Sequence, residues 1–211
     1  MTLHRPPGTT PFMSAYAKNS ITTLETRRLV LRPLRWEDAP RIQLLFSNPN
    51  VLRYMDGSIP HPYPDNGAEA FLERWLPQLE ASEIYAWAIL RKDHPEDQGL
   101  IGVVSLTPAS DTDHRGLWLG EPWWRQGYMT EAAAAANDFA FDVLGMEYLL
   151  LNNAEPNLGS HRLKERIGAT IIGHEEKRFV SGTFRSIKWK LTAEAWNAFT
   201  RSKASEAVSR V

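Results

Sequence analysis

With 211 residues, a formal net charge of −1, 43% hydrophobic and 23% charged residues, the chain can bury a sizeable core and has no global field to recruit nucleic acid or an anionic membrane. It contains no cysteine, which excludes disulfides, a cysteine nucleophile and thiolate metal sites. No stretch approaches the ~20 apolar residues of a membrane span, and the start of the chain lacks the apolar run of a signal peptide, so a cytoplasmic protein with no membrane and no nucleic-acid partner is expected.

Residues 1–22 are rich in Pro, Ser and Thr without periodicity and are expected to form a flexible arm. Arg28–Arg32 reads as a first strand stopped by Pro33. Glu37 and Asp38 then suit a helix's first turn, with Ile42, Leu45 and Phe46 at helical spacing as far as Asn48-Pro49. A Gly- and Pro-rich loop from Gly57 to Asn66 precedes an amphipathic helix marked by Ala68, Phe71, Leu72, Trp75 and Leu79. Tyr85–Leu90 and Leu100–Leu106 read as antiparallel strands joined by the polar turn Lys92–Gln98, and Leu117–Leu119 as a third central strand.

A long helix begins around Gly127–Thr130, buries Ala132, Ala136, Phe139 and Val143, and stops at Gly145. Tyr148–Leu151 is apolar enough to be buried on both faces. A short helix over Asn157–Ile167 ends at Gly168. Strands Thr170–Val180 and Thr183–Leu191 flank a turn at Ser181-Gly182, and Thr192 caps a brief helix holding Trp196 and Phe199. There is no repeat and no linker, so one mixed α+β domain is expected over 23–200, followed by a flexible tail over 201–211.

The chemistry concentrates at 117–131, LWLGEPWWRQGYMTE. A strand, a glycine-containing turn and a helix start aim unpaired backbone N–H groups and the positive helix end at one spot, which suits the diphosphate of a nucleotide cofactor. Gly127 permits close backbone approach, and Arg125 and Gln126 add side-chain donors. No Gly-Lys-Ser/Thr follows, so this is not a P-loop, and the three glycines of a dinucleotide fingerprint are missing. A purely structural turn remains the alternative reading of these residues.

The stretch Gly127-Tyr128-Met129-Thr130-Glu131-Ala132 resembles the cofactor loop of the GNAT acetyltransferase superfamily, and in particular its ribosomal-protein N-terminal acetyltransferase branch. Asn157-x-x-Ser160 with Gly168, and the opening Leu24–Pro33, resemble two further blocks of that branch, so the likeness spans roughly residues 24–197. Trp124 stands at the family's Gln/Arg position and Met129 at its second Gly/Ala, two departures at positions that chiefly lend backbone amides.

The resemblance implies a GNAT fold: a twisted mixed sheet, helices on both faces, and acetyl-CoA lying between splayed central strands. It implies transfer of acetyl to a primary amine by direct attack in a ternary complex, the acceptor being the N-terminal α-amine of a protein or peptide. A small-molecule amine and a non-catalytic CoA-binding module are the alternatives. The cofactor would meet Arg125–Thr130, Trp124, Asn157, Ser160 and Lys164, with a backbone N–H near Trp118 or Leu119 steadying the oxyanion. Ser160 would donate a proton to the departing thiolate. The superfamily's usual tyrosine position is here Lys164.

His114, where this branch often carries a glutamate, is the candidate base, with a surface histidine as the alternative. Glu121 and Glu155 also fall near the expected site. Tyr54 and Tyr63 would line the acceptor end; Trp87 is the remaining candidate there, although it also fits a core face. The six histidines show no metal-ligand spacing, so no metal is expected. The assembly is expected to be a monomer or a homodimer.

Overall fold

The computed structural model describes residues 22–94, 96 and 99–208. All but the last residue of the expected N-terminal arm, part of the Lys92–Gln98 turn, and residues 209–211 of the tail lie outside that description.

Two sheets share the fold. The first is an antiparallel run in the order β1 (Leu24–Glu25), β2 (Leu29–Pro33), β3 (Tyr85–Arg91), β4 (Gly102–Leu106) and β5 (Arg115–Leu119). The second places β8 (Gly182–Thr192) between β6 (Tyr148–Ala154) and β7 (Thr170–Phe179). Helices α1 (Ala39–Phe46), α2 (Pro49–Leu52) and α3 (Gly67–Glu80) follow β2. Helix α4 (Tyr128–Asp138) follows β5, α5 (Leu158–Arg166) follows β6, and α6 (Ala193–Val208) follows β8.

Strand alternation sorts the core into two layers. Successive side chains of β3 face opposite ways, so Ala86 and Ala88 pack with Ile42 and Phe46 of α1 and Leu72 and Leu79 of α3. Trp87 and Ile89 face the other layer, with Ala132, Ala136 and Phe139 of the α4 segment and Trp189 and Trp196 from the C-terminal third. The alanine run of α4 lets that helix lie close over the sheet. Its last turns widen over Phe139–Val143, where Leu144 N–H donates to Phe139 O, and Gly145 (φ 65°) ends the segment in the left-handed conformation.

The expected element order holds, with local differences. The third central strand begins earlier, at Arg115, and β4 later, at Gly102. The turn α2 was not expected: Asn48 Oδ1 accepts from Asn50 N–H, and Pro49 occupies the first helical position. Helix α6 runs beyond the expected brief helix, to Val208. Thr192 caps it, its Oγ1 accepting from Ala195 N–H at 3.1 Å.

Strands β5 and β6 belong to different sheets and touch at one end. His114 N–H donates to Leu150 O (2.7 Å), and Leu150 N–H donates back to His114 Nδ1 (2.8 Å). The side chain thus supplies the acceptor that a regular ladder would take from the backbone.

Candidate active site

Beyond the His114–Leu150 junction lies a cleft of about 1580 Å³. It is bounded by β5, the turn into α4, the end of β6, α5, and the segment between α1 and α3. Its volume exceeds the ~300–1,000 Å³ of an ordinary small-molecule pocket, as a long cofactor plus an acceptor would require.

The cofactor turn is bare where it faces this cleft. Trp124 and Trp123 N–H groups donate to Glu121 O and Gly120 O, and Glu131 N–H donates to Gly127 O. The amides from Arg125 to Thr130 find no acceptor among the described residues. Backbone hand alternates here, with Arg125 at φ 62° and Gly127 at φ 81°, which turns successive N–H groups into a concavity suited to an anion. The start of α4 adds its positive end. Arg28 braces the turn: its Nη1 donates to Gln126 O (3.0 Å), its Nε to Glu131 Oε2 (2.7 Å), and its guanidinium lies over the Tyr128 ring. Burial works against ionisation of Glu131, but hydrogen bonds from Thr26 and Arg28 outweigh it and hold its carboxyl below the usual range.

Several expected residues come together here. Arg125, Gly127, Tyr128, Met129 and Thr130 line the cleft, as do Trp118 and Leu119 on β5. Gly120 N–H donates to Ile101 O beside β4, so strand alternation turns the Leu119 N–H toward the open edge. Trp124 lines the cleft differently than expected: its amide is used, and its indole Nε1 donates to Leu119 O (2.7 Å). Gln126 folds back, its Nε2 donating to Pro122 O, and contributes backbone alone.

On the facing helix, Asn157 Oδ1 caps α5 by accepting from Ser160 N–H (3.2 Å). Ser160 Oγ accepts from Lys164 Nζ at 2.6 Å. All three residues line the cleft. Tyr54, its ring edge-on to Phe184, and Tyr63, packed edge-on to Phe46, also line the cleft.

Two expectations are corrected. His114 does not line this cleft: it is 6% exposed, opens instead onto a small depression with Ser110 and Tyr148, and uses Nδ1 to receive Leu150 N–H. Burial pushes its pKa below the ordinary histidine value, against the opposing influences of Ser110 O and Asp111. Trp87 is fully buried in the opposite layer, against Phe139, with Nε1 donating to Thr22 O, so it cannot meet an acceptor. Of the nearby glutamates, Glu121 is bound by Asn48 and Asn50, and the exposed Glu155 pairs with Arg185; neither lines the cleft.

What sequence reasoning missed is the pair flanking His114. Asp113 and Arg115 both line the cleft, and both face Lys164 across it electrostatically. Strand alternation, extended back from β5, was the available signal: residues 113 and 115 share a side that 114 does not.

Among the described residues, no helix is long and apolar enough to cross a membrane. A family model for the acetyltransferase (GNAT) domain matches residues 28–170. An uncharacterized N-acetyltransferase of Bacillus subtilis, YoaA, is 27% identical over 145 residues, covering 69% of this chain and 81% of its own. In fold, the chain is similar to the ribosomal-protein-S5-alanine acetyltransferase of Vibrio fischeri (TM-score 0.69, 14% identity, 83% and 99% of the two chains). It is similar also to the spermidine N-acetyltransferase of Vibrio cholerae solved with CoA and spermine (TM-score 0.66, 19% identity, 81% and 99%). With the family model covering well over half its length, the chain belongs to the GNAT acetyltransferases and is an acetyl-CoA-dependent N-acetyltransferase.

Proposed function

We propose that this cytoplasmic enzyme acetylates the N-terminal α-amine of a protein or peptide, by direct attack of the amine on acetyl-CoA in a ternary complex. The bare amides of Arg125–Thr130 hold the diphosphate, and the pantetheine arm lies along the edge of β5 as an added strand. The Leu119 N–H faces the developing oxyanion, and the Ser160 hydroxyl faces the departing thiolate. That thiolate needs a donor because its pKa, about 8.5 by analogy with cysteine, makes it a mediocre leaving group.

One observation supports a peptide over a polyamine. The cleft is lined by Arg53, Arg74, Arg115 and Lys177 against Asp56 and Asp113, and Lys177 Nζ already pairs with Asp56 at 2.9 Å. This excess of positive charge repels a polycation, while a chain end with a single amine and carbonyl acceptors is tolerated. Thiol release should be measured with acetyl-CoA and a panel of peptides beginning with alanine or serine, alongside spermidine and free amino acids, with products weighed by mass spectrometry. The reading expects kcat/KM at least about ten-fold higher for the best peptide than for spermidine, a difference of ~1.4 kcal/mol. A polyamine or free amino acid that outpaces every peptide would overturn the acceptor assignment.

A further inference from the structure

Lys164 is an unusual residue to find where it lies. It is 3% exposed, on the cleft side of α5, and makes no ion pair with a carboxylate among the described residues. Its Nζ instead donates to the hydroxyl of Ser160, one helical turn earlier. Lysine is almost never buried without a partner, because desolvating the ammonium is expensive.

Across the cleft, Arg115 is 4% exposed, with Nη1 on Asn137 Oδ1 and with Nε and Nη2 unpartnered. Asp113 is enclosed by protein on nearly every side yet still reached through the cleft. Its Oδ1 receives only a long bond from Arg115 N–H (3.4 Å). Three charged groups therefore line one cleft with the Ser160 hydroxyl, and one of them is hydrogen-bonded to it.

We infer that Asp113 is the base that takes a proton from the acceptor ammonium, and that Lys164 is a positioning residue that supplies the Ser160 hydroxyl with the proton it gives to the thiolate of CoA. This rests on acetyl transfer in this cleft, but not on which amine is the acceptor.

The step balances as follows. The ammonium loses one proton to the Asp113 carboxylate, and the free amine forms a C–N bond to the thioester carbon. As the C–S bond breaks, sulfur takes the Ser160 proton and Ser160 Oγ takes one from Lys164 Nζ. The amide nitrogen sheds its second proton to the now neutral lysine, and Asp113 releases its own to solvent. The products are the acetylated amine, CoA thiol and one proton.

The surroundings favour these roles. Desolvation raises the Asp113 carboxyl to about 6, against the lowering influence of Lys164, Arg115 and Lys177. Desolvation, then Arg115, lowers the Lys164 ammonium to about 7, against the attraction of Asp113. Both groups are thereby brought close to the working pH of a proton carrier. They are also linked: once Asp113 is protonated, Lys164 loses the nearby negative charge that retained its proton, so uptake at the amine promotes delivery at the sulfur. The charged groups facing this pair are Arg115 from β5 and Lys177 from β7.

The test uses the full chain, acetyl-CoA and any amine that wild type turns over, so a wrong acceptor assignment leaves it standing. Asp113→Asn should lower kcat by about 10²-fold or more and remove the acid limb of the kcat–pH profile. Lys164→Gln should lower kcat by ~10–10²-fold and flatten the alkaline limb, with KM for acetyl-CoA within about two-fold of wild type. Lys164→Arg keeps the charge and a donor toward Ser160 but cannot release its proton at these pH values, so it should stay as slow as the glutamine variant. Thermal melting of each variant reports whether it folds, and Lys164→Gln carries the test if the arginine does not fit. A Lys164→Arg enzyme at wild-type rate, or pH limbs unchanged in Lys164→Gln and Asp113→Asn, would overturn the proposal.

Discussion

His114 and Asp113 are neighbours in sequence that face opposite ways, and the difference decides what each can do. His114 Nδ1 must be unprotonated to accept the Leu150 N–H at 2.8 Å, so the folded state selects the neutral ring. Its pKa is lowered on folding, chiefly by burial, so the folded state binds fewer protons there than the unfolded chain. The stabilisation is therefore complete above the ordinary histidine pKa of about 6.5 and is lost as pH falls through the lower folded value. His114→Ala should destabilise the protein by about 1–3 kcal/mol at pH 7.5, the cost of leaving a buried N–H unpaired. Urea unfolding should show that difference shrinking on acidification to pH 5; a difference independent of pH would mean that the ring's protonation does not matter to the junction. At this scale the sequence was legible for the turn before α4, because its open amides depend on backbone that Gly127 frees. It gave no sign of Asp113 and Arg115, because the polar run Ser110–Arg115 does not announce which alternate residues turn toward the cleft. Trp87 misled for the same reason: an aromatic in a strand fits either face until the sheet's two layers are assigned.

At the scale of elements, the segment after α2 ties the two halves of the cleft together. Met55 O accepts from Val180 N–H, Arg53 O from Ser181 N–H and Oγ, and Gly57 N–H donates to Arg178 O (3.0 Å). The β7–β8 hairpin is thereby fastened to the loop carrying Tyr54, which lines the cleft. Gly57 makes that approach possible, since a Cβ there would lie 2.7 Å from Arg178 O and 2.9 Å from its carbonyl carbon. Gly57→Ala should push the loop off the hairpin, raising the KM of the amine several-fold while leaving acetyl-CoA affinity within about two-fold; the reverse split in steady-state kinetics would contradict this account of the loop. Helices α3, α4 and α5 were readable in the sequence because apolar spacing, capping residues and closing glycines are local signals. The loop–hairpin fastening was not, since pairing between residues 53–57 and 178–181 leaves no local pattern in either segment.

For the whole molecule, the cleft opens where the two sheets meet. Strands β5 and β6 meet at His114–Leu150 and part beyond it, leaving edge amides and carbonyls that an amide-bearing ligand can satisfy. The order of strands and helices foretold a mixed α+β layer architecture, but the junction itself rests on a side chain, His114, taking the place of a backbone acceptor, which no composition or periodicity encodes. The proposed function requires coenzyme A to lie in this gap with its diphosphate on the bare amides before α4. Amide hydrogen exchange of the intact chain, with and without coenzyme A, tests it most directly. Exchange should slow at Arg125–Thr130 and along the facing edges Leu117–Leu119 and Asn152–Ala154. Binding that leaves Arg125–Thr130 exchanging at the free rate, with protection elsewhere, would contradict it.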